Sequence, residues 1–146
     1  MQTNSNTEEY DYIIAIIGVG GIGSAVVSEL VRALHRGELL QSTKNITIWI
    51  YDSDRVSAEN LAHQRFSASD VGEFKVDALA RNLSEFTGPR LSIEPCAWDV
   101  RSANDMVAAD LTVVGVDSHL ARRVVHSCGG LWLDLRCGVD GYIALD

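Results

Sequence analysis

The stretch Tyr12-Ile13-Ile14-Ala15-Ile16-Ile17-Gly18-Val19-Gly20-Gly21-Ile22-Gly23-Ser24 decides how the rest of the chain is read. It begins as an unbroken apolar run rich in isoleucine. Such a run fits a strand covered on both faces, as inside a parallel sheet. Gly18, Gly20, Gly21 and Gly23 follow at once, and then Val27, Leu30, Val31 and Leu34 recur with the period of a helix. Strand, glycine turn and helix make the layout of a phosphate-binding βα unit. Gly18 suits a turn conformation closed to other residues. Gly20 or Gly21 lets backbone N–H groups approach a phosphate, and Gly23 lets the helix start pack on the strand. The helix N-terminus then favours an anion. The pattern predicts a nucleotide or dinucleotide site. No lysine with serine or threonine follows Gly23, which excludes a Walker-type loop.

Outward from this unit, the first helix is expected to run to Arg36, with Gly37 as its stop and Glu38 to Asn45 as a loop. Ile46 to Tyr51 reads as a second strand ending in Asp52 and Asp54. In a doubly wound sheet a carboxylate there sits beside the ribose of a nucleotide bound at strand one, where it can accept hydrogen bonds from both vicinal hydroxyls. Ser57 to Lys75 is long and polar for a connection, and long connections tend to carry function. It holds Asn60, His63, Gln64, Arg65, Asp70 and Lys75. Val76, Leu79, Ala80, Leu83 and Phe86 then form one apolar helical stripe, ended by Gly88-Pro89.

Leu91 to Ala97 reads as a third strand, in which Pro95 points to a strand end or a sheet edge. Asn104 to Ala109 reads as a short helical turn. Leu111 to Val116 is a fourth buried strand that delivers Asp117 and Ser118, and Ser118 is a good N-cap. The next helix is expected to bury Leu120, Ala121, Val124 and Val125 and to expose Arg122 and Arg123. Leu131 to Leu135 and Tyr142 to Leu145 complete the strands. The alternation predicts one α/β domain over residues 11–146: a Rossmann-like, doubly wound, mostly parallel sheet with helices on both faces. Asp140-Gly141 is a good turn pair, so an antiparallel hairpin of the last two strands is the alternative to an open apolar edge at Leu131 to Leu135. Residues 1–10 are expected to be a flexible arm.

Composition bounds the partners. A formal net charge of -8 makes nucleic acid and anionic membrane surfaces poor partners. No apolar run reaches the length of a membrane span, and the polar, acidic start MQTNSNTEEYDY lacks the form of a signal peptide. The 3 cysteines, Cys96, Cys128 and Cys137, are odd in number and widely spaced, which fits a reduced, cytoplasmic interior better than a disulfide framework. His126 and Cys128 are read as buried, inert side chains rather than a metal pair.

Three motifs taken together resemble the ThiF-like family, the fold of ubiquitin-activating enzymes and of bacterial enzymes that activate sulfur-carrier proteins. The first is Gly18 to Ser24. The second is Asp52-Ser53-Asp54-Arg55-Val56 with Asn60-Leu61, Gln64, Asp70-Val71-Gly72 and Lys75. The third is Val116-Asp117-Ser118 with Arg122 or Arg123 after it. An NAD domain has no reason to carry the second motif. The resemblance implies an ATP-dependent adenylyltransferase acting on the C-terminal carboxylate of a ubiquitin-like or sulfur-carrier small protein, with ATP and Mg²⁺ as cofactors. It further implies that Gly18, Gly20, Gly21 and Gly23 hold phosphates and that Asp52, with Asp54 near it, binds the ribose. Asn60 and Lys75 would address the phosphates, and Asp117 would hold the metal.

The chain departs from the family pattern in three places. His63 stands where the family has an arginine, which leaves Arg65, two residues on, as the candidate catalytic arginine. Residues 1–31 contain no arginine or lysine for the arm that family members lend to a partner subunit. The sequence ends at Asp146, before the further strands, crossover loop, nucleophilic cysteine and zinc site of other members, so the chain reads as a short or truncated member. These departures keep open a catalytically inactive nucleotide- or partner-binding subunit. The glycines and Asp52 alone would also suit an NAD(P)-dependent oxidoreductase. The apolar segment Leu131 to Leu135, so near the end, leads to the expectation of a homo- or hetero-dimer through residues 131–146.

Overall fold

The computed structural model describes residues 10–138 and 141–145, with side chains described through Cys137. The expected arm falls on the residues outside this range, apart from Tyr10, as does Asp140 of the expected turn. The strands are β1 (Asp11–Ile17), β2 (Asn45–Tyr51), β3 (Leu91–Cys96), β4 (Leu111–Val114), β5 (Leu131–Gly138) and β6 (Gly141–Leu145). The helices are α1 (Gly21–Arg36), α2 (Leu39–Ser42), α3 (Lys75–Asn82) and α4 (His119–Ser127). The strands form one 6-stranded sheet in the order β3-β2-β1-β4-β5-β6. β1 pairs in parallel with β2 on one side and with β4 on the other, β2 with β3, and β4 with β5. β6 pairs antiparallel with β5.

The unbroken apolar run is explained by the two layers that cover β1. Ile14 and Ile16 join Val27, Val31 and Leu34 of α1 and Val76 and Leu79 of α3 on one face. Ala15 and Ile17 join Ala121, Val124 and Val125 of α4 on the other. Side chains alternate across a strand, so a strand covered on both faces needs apolar residues at every position. Pro95 is accommodated because β3 is an outermost strand, with no further ladder for a missing N–H to break.

Several expectations need correction. Glu38 to Asn45 is not all loop: α2 occupies its middle, and Arg90 donates to the carbonyls of Leu40 and Thr43. β4 ends at Val114, two residues early, so Gly115 and Val116 belong to the turn that carries Asp117. On α4, Ala121, Val124 and Val125 are buried and Arg123 exposed as expected, but Leu120 and Arg122 exchange roles. Leu120 is 44% exposed and Arg122 only 8%. Arg122 faces the sheet because a buried carboxylate, Asp134 of β5, waits there. His126 is not buried; its Nε2 meets Asp134 at 3.0 Å and its ring stacks on Trp132 at 4.1 Å. Among the described residues no three His, Cys, Asp or Glu side chains gather as a metal site, and no helix is long and apolar enough to cross a membrane.

Candidate functional site

A cleft of about 1240 Å³ lies along the carboxyl ends of the parallel strands. This is where open α/β sheets place ligands, at the switch point between β1 and β4 where the strand order turns. The turn after β1 and the start of α1 contribute Gly18, Gly20 and Gly21, and the turn after β2 contributes Asp52 and Asp54. The turn after β3 contributes Asp99, Val100 and Arg101, and the turn after β4 contributes Asp117 and Ser118. His63, Gln64 and Lys75 enter from the long connection and the start of α3.

The glycines divide by what surrounds them. Gly18 has φ +91°, and a Cβ there would lie 2.3 Å from Val116 Cγ1. A Cβ on Gly23 would lie 1.8 Å from the Gly18 carbonyl oxygen, so this residue is fixed by the packing of α1 on the turn. Gly20 and Gly21 have no such constraint. Their nearest neighbours would be Gln64 Nε2 at 3.9 Å and the His63 carbonyl oxygen at 3.5 Å. The space left bare over Gly20 and Gly21 opens into the cleft, at the start of a helix that no side chain caps. That is the arrangement of an anion site built from backbone N–H groups. Gln64 Oε1, buried and without a hydrogen-bond partner in the protein, adds an acceptor in want of a donor from the cleft.

Asp52 is built into the glycine turn rather than merely placed near it. Its Oδ2 accepts the N–H of Val19 and its Oδ1 the N–H of Asp54, both at 2.9 Å. Each oxygen keeps lone pairs for a further donor. Burial pushes the Asp52 carboxyl above its ordinary range, opposed by those two N–H groups and by Lys75. Lys75 is held in turn: its side chain is 7% exposed, and Nζ lies 3.0 Å from Oδ2 of the solvent-facing Asp54. A buried ammonium beside carboxylates and a glycine turn is a fixed positive charge at the cleft floor.

Asn60 and Arg65 are not among the residues that line the cleft. Asn60 Oδ1 accepts the N–H of Ser57, a capping box that shapes the turn over 58–62. Arg65 reaches away to Glu29 at 3.6 Å, both side chains exposed. Asp70, part of the same motif, is fully buried, and its carboxylate takes Ser67, Arg81 and Asn82 as donors. It locks the long connection onto α3 and does not face the cleft. The arginine that lines the cleft is Arg101, paired with Asp99 at 3.2 Å, and Asp99 also accepts from Ser53 Oγ at 2.6 Å. No motif marks Arg101; only its place just past the end of a parallel strand would have found it.

The arrangement matches a known family. The model of the ThiF family matches residues 10–129. This chain belongs to the ThiF family. Among curated ThiF-type relatives, ubiquitin-like modifier-activating enzyme 5 of Oryza sativa subsp. japonica is 28% identical over 158 aligned positions, covering 92% of this chain and 35% of the relative. The enzyme of the same name from Drosophila virilis is 32% identical, covering 81% and 27%. The chain thus spans about a third of the length of the curated relatives it matches. Among solved structures, Escherichia coli MccB in complex with AMPCPP and MccA superposes with a TM-score of 0.65 at 24% identity, over 86% of this chain and 37% of that one. PaaA superposes with a TM-score of 0.66 at 18% identity, over 89% and 38%. These likenesses show the shared Rossmann-like fold.

Proposed function

We propose that this chain is the nucleotide-binding part of an ATP-dependent adenylyltransferase that activates the C-terminal carboxylate of a ubiquitin-like or sulfur-carrier protein. The observation that carries the reading is the meeting of bare Gly20 and Gly21 backbone, Asp52, Lys75 and Asp117 on one cleft. Asp52 suits the ribose hydroxyls, the α1 N-terminus and Lys75 suit the phosphates, and Asp117 suits a metal that arrives with them. Mg²⁺ keeps most of its water and takes one or two carboxylates plus phosphate oxygens, so a lone exposed Asp117 is an adequate protein ligand. Bound there, the metal would neutralise phosphate charge. A carboxylate oxygen of the protein substrate attacks the α-phosphorus, and the bond to the bridging oxygen breaks to release pyrophosphate. The attacking carboxylate is ionised at neutral pH, so the cleft needs no general base.

The test is ATP–pyrophosphate exchange with small proteins that end in a glycine tail. Label entering ATP only when such a protein is present supports the reading. No exchange, with ATP still bound in calorimetry, supports instead the catalytically inactive subunit. The pull of Arg65 toward Glu29 and the histidine at position 63 favour that second reading. No ATP binding at all removes both. Association with a second chain through the surface near residues 131–146, although β6 pairs with the edge of β5 that was expected to be open, belongs to the same proposal and is read by light scattering on dilution.

A further inference from the structure

Arg122 has no role in the site as described, yet its setting is unusual. It lies on α4, 8% exposed, and its guanidinium spans two parts of the molecule. Nη1 makes an ion pair with Asp134, which is 0% exposed on β5. Nη2 donates to the carbonyl of Val116 and, at 3.4 Å, to that of Leu135. Val116 immediately precedes Asp117, beyond the last paired residue of β4, which is Val114 opposite Asp134. Its carbonyl has therefore left the strand ladder, and the guanidinium supplies a donor for it. The Val116 side chain also occupies the space over Gly18. Asp134 is oriented in its turn by His126 at 3.0 Å and Arg136 at 2.8 Å.

We infer that Arg122 and Asp134 form a clamp that positions the Val116–Asp117 turn against the glycine turn, making Arg122 a positioning residue for the phosphate side of the cleft. This inference rests on the nucleotide reading above. A buried ion pair is a poor source of stability, because desolvation offsets the attraction, but it does fix geometry. A guanidinium presents its donors in a rigid planar fork; an ammonium is a compact charge whose three donors rotate, so it does not fix the same geometry. The direct contacts of the clamp are with Asp134 and the carbonyls of Val116 and Leu135; none is with Asp52.

The experiment compares ATP with adenosine, in Mg²⁺, by calorimetry on the full chain. In Arg122→Lys, ATP affinity falls about tenfold, the scale of a lost charge-assisted hydrogen bond, while adenosine affinity stays within about twofold. A merely structural role would weaken both ligands alike. The double variant Arg122→Met with Asp134→Leu removes both buried charges and guards against a misfolded single variant; His126 and Arg136 are exposed enough to hydrate. It also lacks the preference of wild type for ATP over adenosine. An unchanged preference in either folded variant overturns the clamp. Failure of wild type to bind ATP would instead sink the nucleotide reading, so the two failures are distinct.

Discussion

Asp52 Oδ2 accepts the backbone N–H of Val19 at 2.9 Å, which ties the end of β2 to the turn after β1. One carboxylate thus shapes the glycine turn and faces the cleft beside it. Both jobs are lost in one variant and are read by two measurements. Asp52→Ala leaves the N–H groups of Val19 and Asp54 without this acceptor, which lowers stability by about 1–3 kcal/mol. It also removes the acceptor for the ribose hydroxyls, so ATP affinity falls at least about tenfold. A thermal melt and ATP calorimetry on the same sample check both; unchanged affinity in a destabilised protein would leave Asp52 a purely structural residue.

Lys75 is expected to discriminate phosphate from nucleoside. Its partner Asp54 is 68% exposed and stays hydrated without the lysine, but the Lys75 side chain is buried and faces Asp52, so the variant is compared on the two ligands rather than on stability. Lys75→Ala should weaken ATP much more than adenosine. Equal losses would make Lys75 a counter-ion to Asp54 and no more.

The glycines make a paired prediction. Gly23→Ala drives a methyl into the Gly18 carbonyl and should destabilise the protein by about 3 kcal/mol or more. Gly20→Ala has room for its methyl, so the melting temperature should hold within a few degrees while ATP binding falls. A Gly20→Ala protein that binds ATP normally would show that phosphates do not approach that backbone.

Asp70 should carry an acid-sensitive part of the stability. Burial alone would raise its carboxyl, but the donors Ser67, Asn82 and Arg81 outweigh burial and hold it below the ordinary 3.8. A depressed folded value means the contribution is complete well above 3.8 and is lost as pH falls from there through the lower folded value. Urea midpoints of wild type and Asp70→Asn should therefore differ by a constant amount from pH 7 to about pH 5 and converge in stronger acid. A gap that already closes between pH 7 and pH 5 would contradict this assignment.

What could be read in advance was local. The run from Tyr12 to Ile17, the glycines behind it and Asp52 at the next strand end each announce their place by neighbours in sequence, and the structure puts them where expected. What could not be read depends on residues far apart in the chain. Arg122 looks like a solvated helix charge until Asp134 is brought opposite by the pairing of β4 with β5. Leu120 takes an exposed place for the same reason: the helix turns its arginine inward. Asp99 and Arg101 reach the cleft only because β3 runs parallel to β2, which no motif records. Asn60 and Arg65 lie in a connection whose path is set by its own capping boxes, and spacing alone did not reveal which way they turn.

The position of β1 between β2 and β4 has a kinetic consequence. β1 meets β2 early in the chain, but its other edge waits for β4, and Ile13 is bonded to Asp110 across 97 residues of sequence. Closing so long a loop is slow and comes at a late stage of assembly. The cleft has walls on both sides of β1, so it does not exist until that closure is made. A nucleotide that spans it finds nothing to hold in the partly folded chain. It should therefore leave the folding rate untouched and slow unfolding alone, acting as a latch set after the door has shut.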